Sequence, residues 1–360
     1  MRVPNFTSNI TANQVTFARL VAIPFLAALL YGGHTARLVA MFLGIIVGAT
    51  DFVDGYLARK YGPTVLGGLM DPIADKVFVV TALLPMVDLG WAPYWLAYAI
   101  LLREFLVTAL RSSFEHRKQS LRSSYLAKVK TWVQMMALAI VVAVHVVSRD
   151  VMVGVFIVVP AASLVVALVS LVRPRVWRGV WIFFGAFAVA SGVYIALGTD
   201  IFLTATYIAT AAITWASALD YLVLAVRDLR NAHAGDVTRV LGAALIPVLA
   251  VLDIERASVG PWALFAVIAV VAVEVAHGGL DNLLAHHEAA APAWAWAGRT
   301  LGTAALLGAT LIWPRGADLL ATGALTVTLA GTAAEFWRNR RYYLDDRPAK
   351  RSVAAQAAAR

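Results

Sequence analysis

Four aspartates crowd one short stretch of the chain. Residues 51–75 read DFVDGYLARKYGPTVLGGLMDPIAD, with Asp51 and Asp54 at i,i+3 and Asp71 and Asp75 at i,i+4. On helices, each spacing puts its pair on one face. The segment between holds Gly62, Pro63, Gly67 and Gly68, so the chain can turn and bring the two faces together. Pro72 suits the first turn of the second of these helices. Converging carboxylates repel unless cations neutralise them. An all-oxygen donor set without nearby His or Cys selects hard divalent ions, Mg²⁺ or Mn²⁺, usually shared with substrate phosphates. The plainer alternative is a set of solvated helix-end charges. Gly55 and Ala58 keep one face small enough for a ligand to approach the backbone, and Arg59 offers a planar, always-charged fork suited to a phosphate.

A second concentration of charge follows. Arg111, Lys128 and Lys130 fall near the ends of two apolar runs and Arg103 nearly two turns inside the first, with Arg117, Lys118 and Arg122 between them. They suit an anionic partner; a basic loop facing anionic lipid is the alternative.

The elements that carry these groups are membrane spans. AVILMFWYC residues make up 61% of the 360-residue chain and charged residues 14%, against roughly 25% charged in soluble domains; the mean hydropathy is +0.77. Apolar runs near 14–31, 36–57, 73–90, 92–111, 126–147, 151–172, 177–197, 201–226, 238–253, 259–276, 296–313 and 317–336 predict an all-α polytopic bundle of about twelve spans. Basic residues gather on one side of the connections, which places both termini and the aspartates at the cytoplasmic face of the cell membrane. That asymmetry also explains the net charge of +9 without a nucleic-acid partner. The absence of cysteine excludes disulfides, thiolate metal sites and cysteine nucleophiles. The polar start MRVPNFTSNITANQ has no small-residue cleavage site, so no removed signal peptide is expected.

The run Asp51-x2-Asp54-Gly55-x2-Ala58-Arg59…Gly67-x3-Asp71-x3-Asp75 resembles the signature of the CDP-alcohol phosphatidyltransferase family. That family usually has eight residues between the arginine and the glycine; here seven separate Arg59 from Gly67, so Gly67 and Gly68 both stand as candidates beside the nucleotide. Three further stretches resemble the phosphatidylglycerophosphate synthases within it: Asn13-x2-Thr16-x2-Arg19 followed by Ile23-Pro24, Arg103-Glu104-x5-Leu110-Arg111, and Lys128-Val129-Lys130-Thr131-x2-Gln134. The likeness covers about 1–147 and returns at 214–221. It implies a six-helix core, a homodimer, and transfer of the phosphatidyl group from CDP-diacylglycerol to a small alcohol, with release of CMP. It also implies two Mg²⁺ or Mn²⁺ ions on Asp51, Asp54, Asp71 and Asp75, with Asp75 as general base. Asp54, Gly55, Ala58, Arg59 and the glycines would then meet the CDP-lipid. Arg103, Arg111, Lys128 and Lys130 suit a phosphorylated acceptor such as sn-glycerol 3-phosphate and would repel a cationic one; inositol 3-phosphate remains an alternative. Asn13, Thr16, Thr50 and Arg122 are weaker candidates.

The enzyme-like domain is expected over 1–230, with an extra helical hairpin at 150–198. A further transmembrane domain follows at 231–345 and a basic tail at 346–360. In the second domain Ile246-Pro247, Asp281-x3-Ala285 and Glu335-Phe336 echo Ile23-Pro24, Asp54-x3-Ala58 and Glu104-Phe105 in order. This reads either as a degenerate partial copy of the first four spans or as chance similarity between Ala/Leu-rich helices. Gly278, Asn282 and His286 stand opposite Asp51, Gly55 and Arg59, so a copy would not hold the same metals. His286, His287 and Glu288 suit a solvated loop better than a metal site. Glu274 lies inside a span, where a carboxylate hints at function. A transporter or lipid scaffold is the rival class, consistent with many spans and a repeat.

Overall fold

The computed structural model describes residues 12–61, 65–116, 125–172, 180–228, 234–256, 260–286 and 293–343, together with the short turns that join some of these helices. Among them it is all-helical: α1 (Ala12–Leu30), α2 (His34–Tyr61), α3 (Val65–Asp88), α4 (Tyr94–His116), α5 (Tyr125–Val146), α6 (Arg149–Val172), α7 (Val180–Leu197), α8 (Thr199–Ala216), α9 (Leu219–Asp228), α10 (Ala234–Arg256), α11 (Pro261–His286), α12 (Ala293–Ile312) and α13 (Ala317–Tyr343). Among the described residues, seven segments are long and apolar enough to cross a bilayer: 12–30, 34–57, 129–146, 149–169, 199–227, 261–285 and 314–343. The protein is thus a multi-pass membrane protein. α4, which carries Arg103, Glu104 and Arg111, falls outside that set; it is wrapped by α8, α10 and α11, which shield its charges.

α3 departs from its expected span. It starts at Val65 and takes in part of the glycine-bearing linker, so Pro72 lies inside it and not in its first turn. A proline has no N–H to donate, so the Gly68 carbonyl, four residues earlier, loses its helical partner beside Asp71. The run expected as a single span at 201–226 holds as one candidate span over 199–227, with a turn at Ser217–Ala218 that divides it into α8 and α9.

α1 packs against both α2 and α3, while α5 lies against α2, α3 and α8. Gly90, at a positive φ of 72°, turns the chain between α3 and α4, and the Tyr207 hydroxyl donates to the Trp91 carbonyl (2.5 Å) to tie α8 to that turn. The α6–α7 hairpin packs on itself and touches α5 and α8, leaving Val158, Ile182 and Val189 exposed, as suits side chains solvated by lipid. α10 and α11 lie against α4 and α3, and α12 and α13 close over them.

Polar pairs stitch the last four helices together inside the apolar core. Glu274 of α11 has a partner in α12, the Arg299 guanidinium, and both are buried. Gly331 leaves room for the arginine stem, since a Cβ there would lie 2.7 Å from Arg299 Cδ. His277 faces Glu335 at 3.4 Å, Thr310 donates to Asp253, and Thr303 pairs with Thr328 at 2.8 Å. Removing one partner of a buried ion pair costs about 3–5 kcal/mol, whereas replacing both with apolar residues is often neutral. Glu274→Ala should therefore lower the thermal midpoint in detergent sharply, and Glu274→Leu/Arg299→Leu should lower it much less.

Candidate active site

The aspartates converge, and they do so on a residue from the first helix. Thr16 and Arg19, at i,i+3 on one face of α1, point at the carboxylates of α2 and α3. Arg19 Nη1 donates to Asp51 Oδ1 (3.1 Å) and Asp75 Oδ1 (3.1 Å), and Nη2 donates to Asp54 Oδ2 (2.9 Å). Thr16 Oγ1 bridges Asp54 Oδ2 (3.1 Å) and Asp71 Oδ1 (2.8 Å). Arg19 is 3% exposed and Asp54 2%, while the Asp51 and Asp75 side chains are 37% and 26% exposed, so the cluster opens on their side. Four carboxylates against one guanidinium leave a formal excess of negative charge in a poorly solvated place. That excess, with oxygen donors only, fits hard divalent cations. Among the described residues no three acidic or histidine side chains form a metal-ready group as they stand; the guanidinium holds the centre.

A complementary cluster begins at the very next residue. Lys76 Nζ donates to Thr108 Oγ1 (2.7 Å), which donates to the Glu104 backbone carbonyl (2.6 Å). Glu104 Oε1 accepts from Lys130 Nζ (2.5 Å) and Arg103 Nη1 (3.2 Å). Arg103 Nη2 also reaches Ser217 Oγ (2.9 Å) at the break between α8 and α9. Arg111 Nη2 donates to the Tyr221 hydroxyl (3.0 Å) of α9. Three cations, Lys130, Arg103 and Lys76, thus act on one carboxylate, with Arg111 close enough to act on Lys76, and Lys130 lies within electrostatic range of Asp75.

Beyond the acidic cluster, one turn deeper along α1, α2 and α3, lies an apolar cavity of about 280 Å³. Ile23, Gly48, Ala49 and Phe78 line its inner end, and exposed Ile45, Trp132 and Met136 mark its rim between α2 and α5.

The family model for CDP-alcohol phosphatidyltransferase matches residues 9–169. A CDP-diacylglycerol–glycerol-3-phosphate 3-phosphatidyltransferase of Rickettsia bellii is 43% identical over 135 residues, covering 36% of this chain and 73% of that protein. The protein of the same name from Bacillus subtilis is 35% identical over 141 residues, covering 35% and 73%. This chain belongs to the CDP-alcohol phosphatidyltransferase family. It is a phosphatidyltransferase, and the match covers the helices that carry both charged clusters. No solved structure matches it.

Of the residues expected at the site of this phosphatidyltransferase, the structure brings together Asp51, Asp54, Asp71, Asp75 and Thr16 in one cluster and Arg103, Arg111 and Lys130 in the other. Gly67 is buried, Gly55 half-buried and Gly68 exposed. Thr50 donates to the Val47 carbonyl (2.6 Å) within its own helix, and Asn13 is half-buried one turn before Thr16 on α1. Arg122 and the side chains of Ala58, Arg59 and Lys128 lie outside the described residues, as does the side chain of His286 with His287 and Glu288. Arg19 and Lys76 were not singled out as site residues; Arg19 shares the i,i+3 face of Thr16, and that spacing is the signal that finds it. Hydrogen bonds to charged groups contribute about 1.5–3 kcal/mol, so Glu104→Gln should lose stability of that order, read as a lower thermal midpoint in detergent. An unchanged midpoint would mean that something else holds Lys130 and Arg103.

Proposed function

We propose that this phosphatidyltransferase moves the phosphatidyl group of CDP-diacylglycerol to the hydroxyl of sn-glycerol 3-phosphate, giving phosphatidylglycerophosphate and CMP. The observation that carries this is the junction at Asp75–Lys76, where the acidic cluster and the cationic cluster adjoin on α3 with an apolar cavity beyond. A lipid-linked pyrophosphate and a phosphorylated alcohol need these three environments side by side. The two relatives described above carry the same reaction in their names.

In this scheme the apolar cavity takes acyl chain from the membrane, with its rim between α2 and α5 as the entrance. Asp51, Asp54, Asp71 and Asp75 would hold Mg²⁺ or Mn²⁺, two ions per site. Bound there, such ions would supply positive charge to offset that of the pyrophosphate and of the CMP leaving group. Lys76, Arg103, Arg111 and Lys130 bind the phosphate of the acceptor, Lys as a point charge and Arg as a fork. Asp75, at the open edge of its cluster and next to Lys76, takes the proton from the acceptor hydroxyl. That oxygen forms the new bond to the lipid-bearing phosphorus as the bond to the CMP oxygen breaks. The scheme includes the twelve-span arrangement with the site at the cytoplasmic face, supported by the one-sided distribution of Lys and Arg.

The test is CMP release by purified protein with CDP-diacylglycerol, Mg²⁺ and a panel of acceptors. Release should require glycerol 3-phosphate and stop on chelation of the metal. Preference for inositol 3-phosphate would reassign the acceptor, and no release with any alcohol would favour a transporter or scaffold. General bases contribute roughly 10²–10⁴-fold, so Asp75→Asn should lose turnover on that scale while remaining folded.

A further inference from the structure

The C-terminal helices touch the catalytic helices where those carry their charges. Gly278 and Gly279 of α11 lie directly against α4 and α3. A Cβ on Gly278 would sit 2.9 Å from Thr108 Cγ2, and one on Gly279 would sit 2.5 Å from Ile73 Cγ1, between Asp71 and Asp75. One turn on, Asp281 Oδ2 accepts from Ser112 Oγ of α4 (2.9 Å). Between these contacts lies a small polar cavity of about 60 Å³, lined in part by Glu104, Gly278, Asp281 and Thr300.

Thr108 is the hinge of the matter. Its hydroxyl is held between Lys76 Nζ and the Glu104 carbonyl, and its methyl faces Gly278. On a β-branched side chain the two groups are fixed relative to one another, so turning the methyl away carries the hydroxyl away from Lys76. The space at Gly278 therefore sets the rotamer that seats a cation of the acceptor site.

We infer that α11 of the C-terminal unit is a positioning element for the acceptor: Gly278, by its close approach to Thr108, and Asp281, through Ser112, hold Lys76 and the Glu104-centred cations in register. This rests on the acceptor reading given above. It assigns the extra helices a part in the reaction although they lie outside the region matched by the family model.

The experiment uses the full-length protein in CMP-release assays with CDP-diacylglycerol and glycerol 3-phosphate varied separately. Misplacing a reacting or binding group by about 1 Å costs up to 10²-fold, so Gly278→Ala should raise the KM for glycerol 3-phosphate by roughly tenfold. The KM for CDP-diacylglycerol should stay as it was. Thr108→Ser deletes the obstructing methyl and keeps the hydroxyl, so Gly278→Ala/Thr108→Ser should regain most of the lost acceptor affinity. Ser112→Ala, which adds no bulk, should shift the same KM by a smaller factor in a protein that folds normally. The inference is overturned if Gly278→Ala leaves the acceptor KM unchanged, if both substrates suffer alike, or if Thr108→Ser gives no recovery. Should Gly278→Ala not fold, an unaltered acceptor KM in Ser112→Ala would overturn it. A parent protein that releases CMP only with another alcohol would instead defeat the acceptor reading itself.

Discussion

Charge compensation inside a low-dielectric bundle governs this structure. An ionised side chain removed from water is costly unless a partner lies close, and the penalty grows when like charges gather. The protein answers twice with the same device. Asp51, Asp54, Asp71 and Asp75 are gathered around Arg19 and braced by Thr16; Lys76, Arg103 and Lys130 are gathered around Glu104, with Arg111 beyond on Tyr221. Each centre is under-compensated, one toward negative and one toward positive. Incomplete neutralisation is what makes such places receptive to ligands of the opposite sign, and their adjacency on α3 polarises that part of the bundle.

Helix ends and breaks are used to the same purpose. Pro72 inside α3 frees a carbonyl oxygen next to Asp71. The break after α8 brings the Ser217 hydroxyl and carbonyl within reach of Arg103. A straight helix through 217 would have spent that carbonyl on its own backbone. Local irregularity here supplies polar partners at a depth where water is scarce.

Much of this was legible in the sequence because charge stands out in apolar runs. The four aspartates and the cations at 103, 111 and 130 announce themselves by type and spacing, and their gathering follows. Arg19 was harder, since one arginine in a first helix looks like part of a pattern and nothing nearby in sequence says that it faces residues 32 to 56 positions away. Lys76 was masked by Asp75, its neighbour of opposite sign. The break at Ser217–Ala218 carries neither Gly nor Pro, so no local signal marks it. The partner of Glu274 depends on how α12 lies on α11, which is tertiary information. Pro72 misled because a proline after a glycine-rich segment reads as a helix start, whereas α3 had begun at Val65.

The contacts of α11 with Ile73, Thr108 and Ser112 also bear on how this protein can be recombined with its shorter cousins. A chimaera that borrows α3 and α4 from another source would inherit side chains shaped for a different neighbour, and the two glycines would meet gaps or collisions in place of their present fit. The workable junctions are those that carry α3, α4 and α11 together, although more than a hundred and fifty positions of chain separate Ser112 from the carboxylate it bonds. Modules in this protein are defined by touching surfaces and not by stretches of sequence.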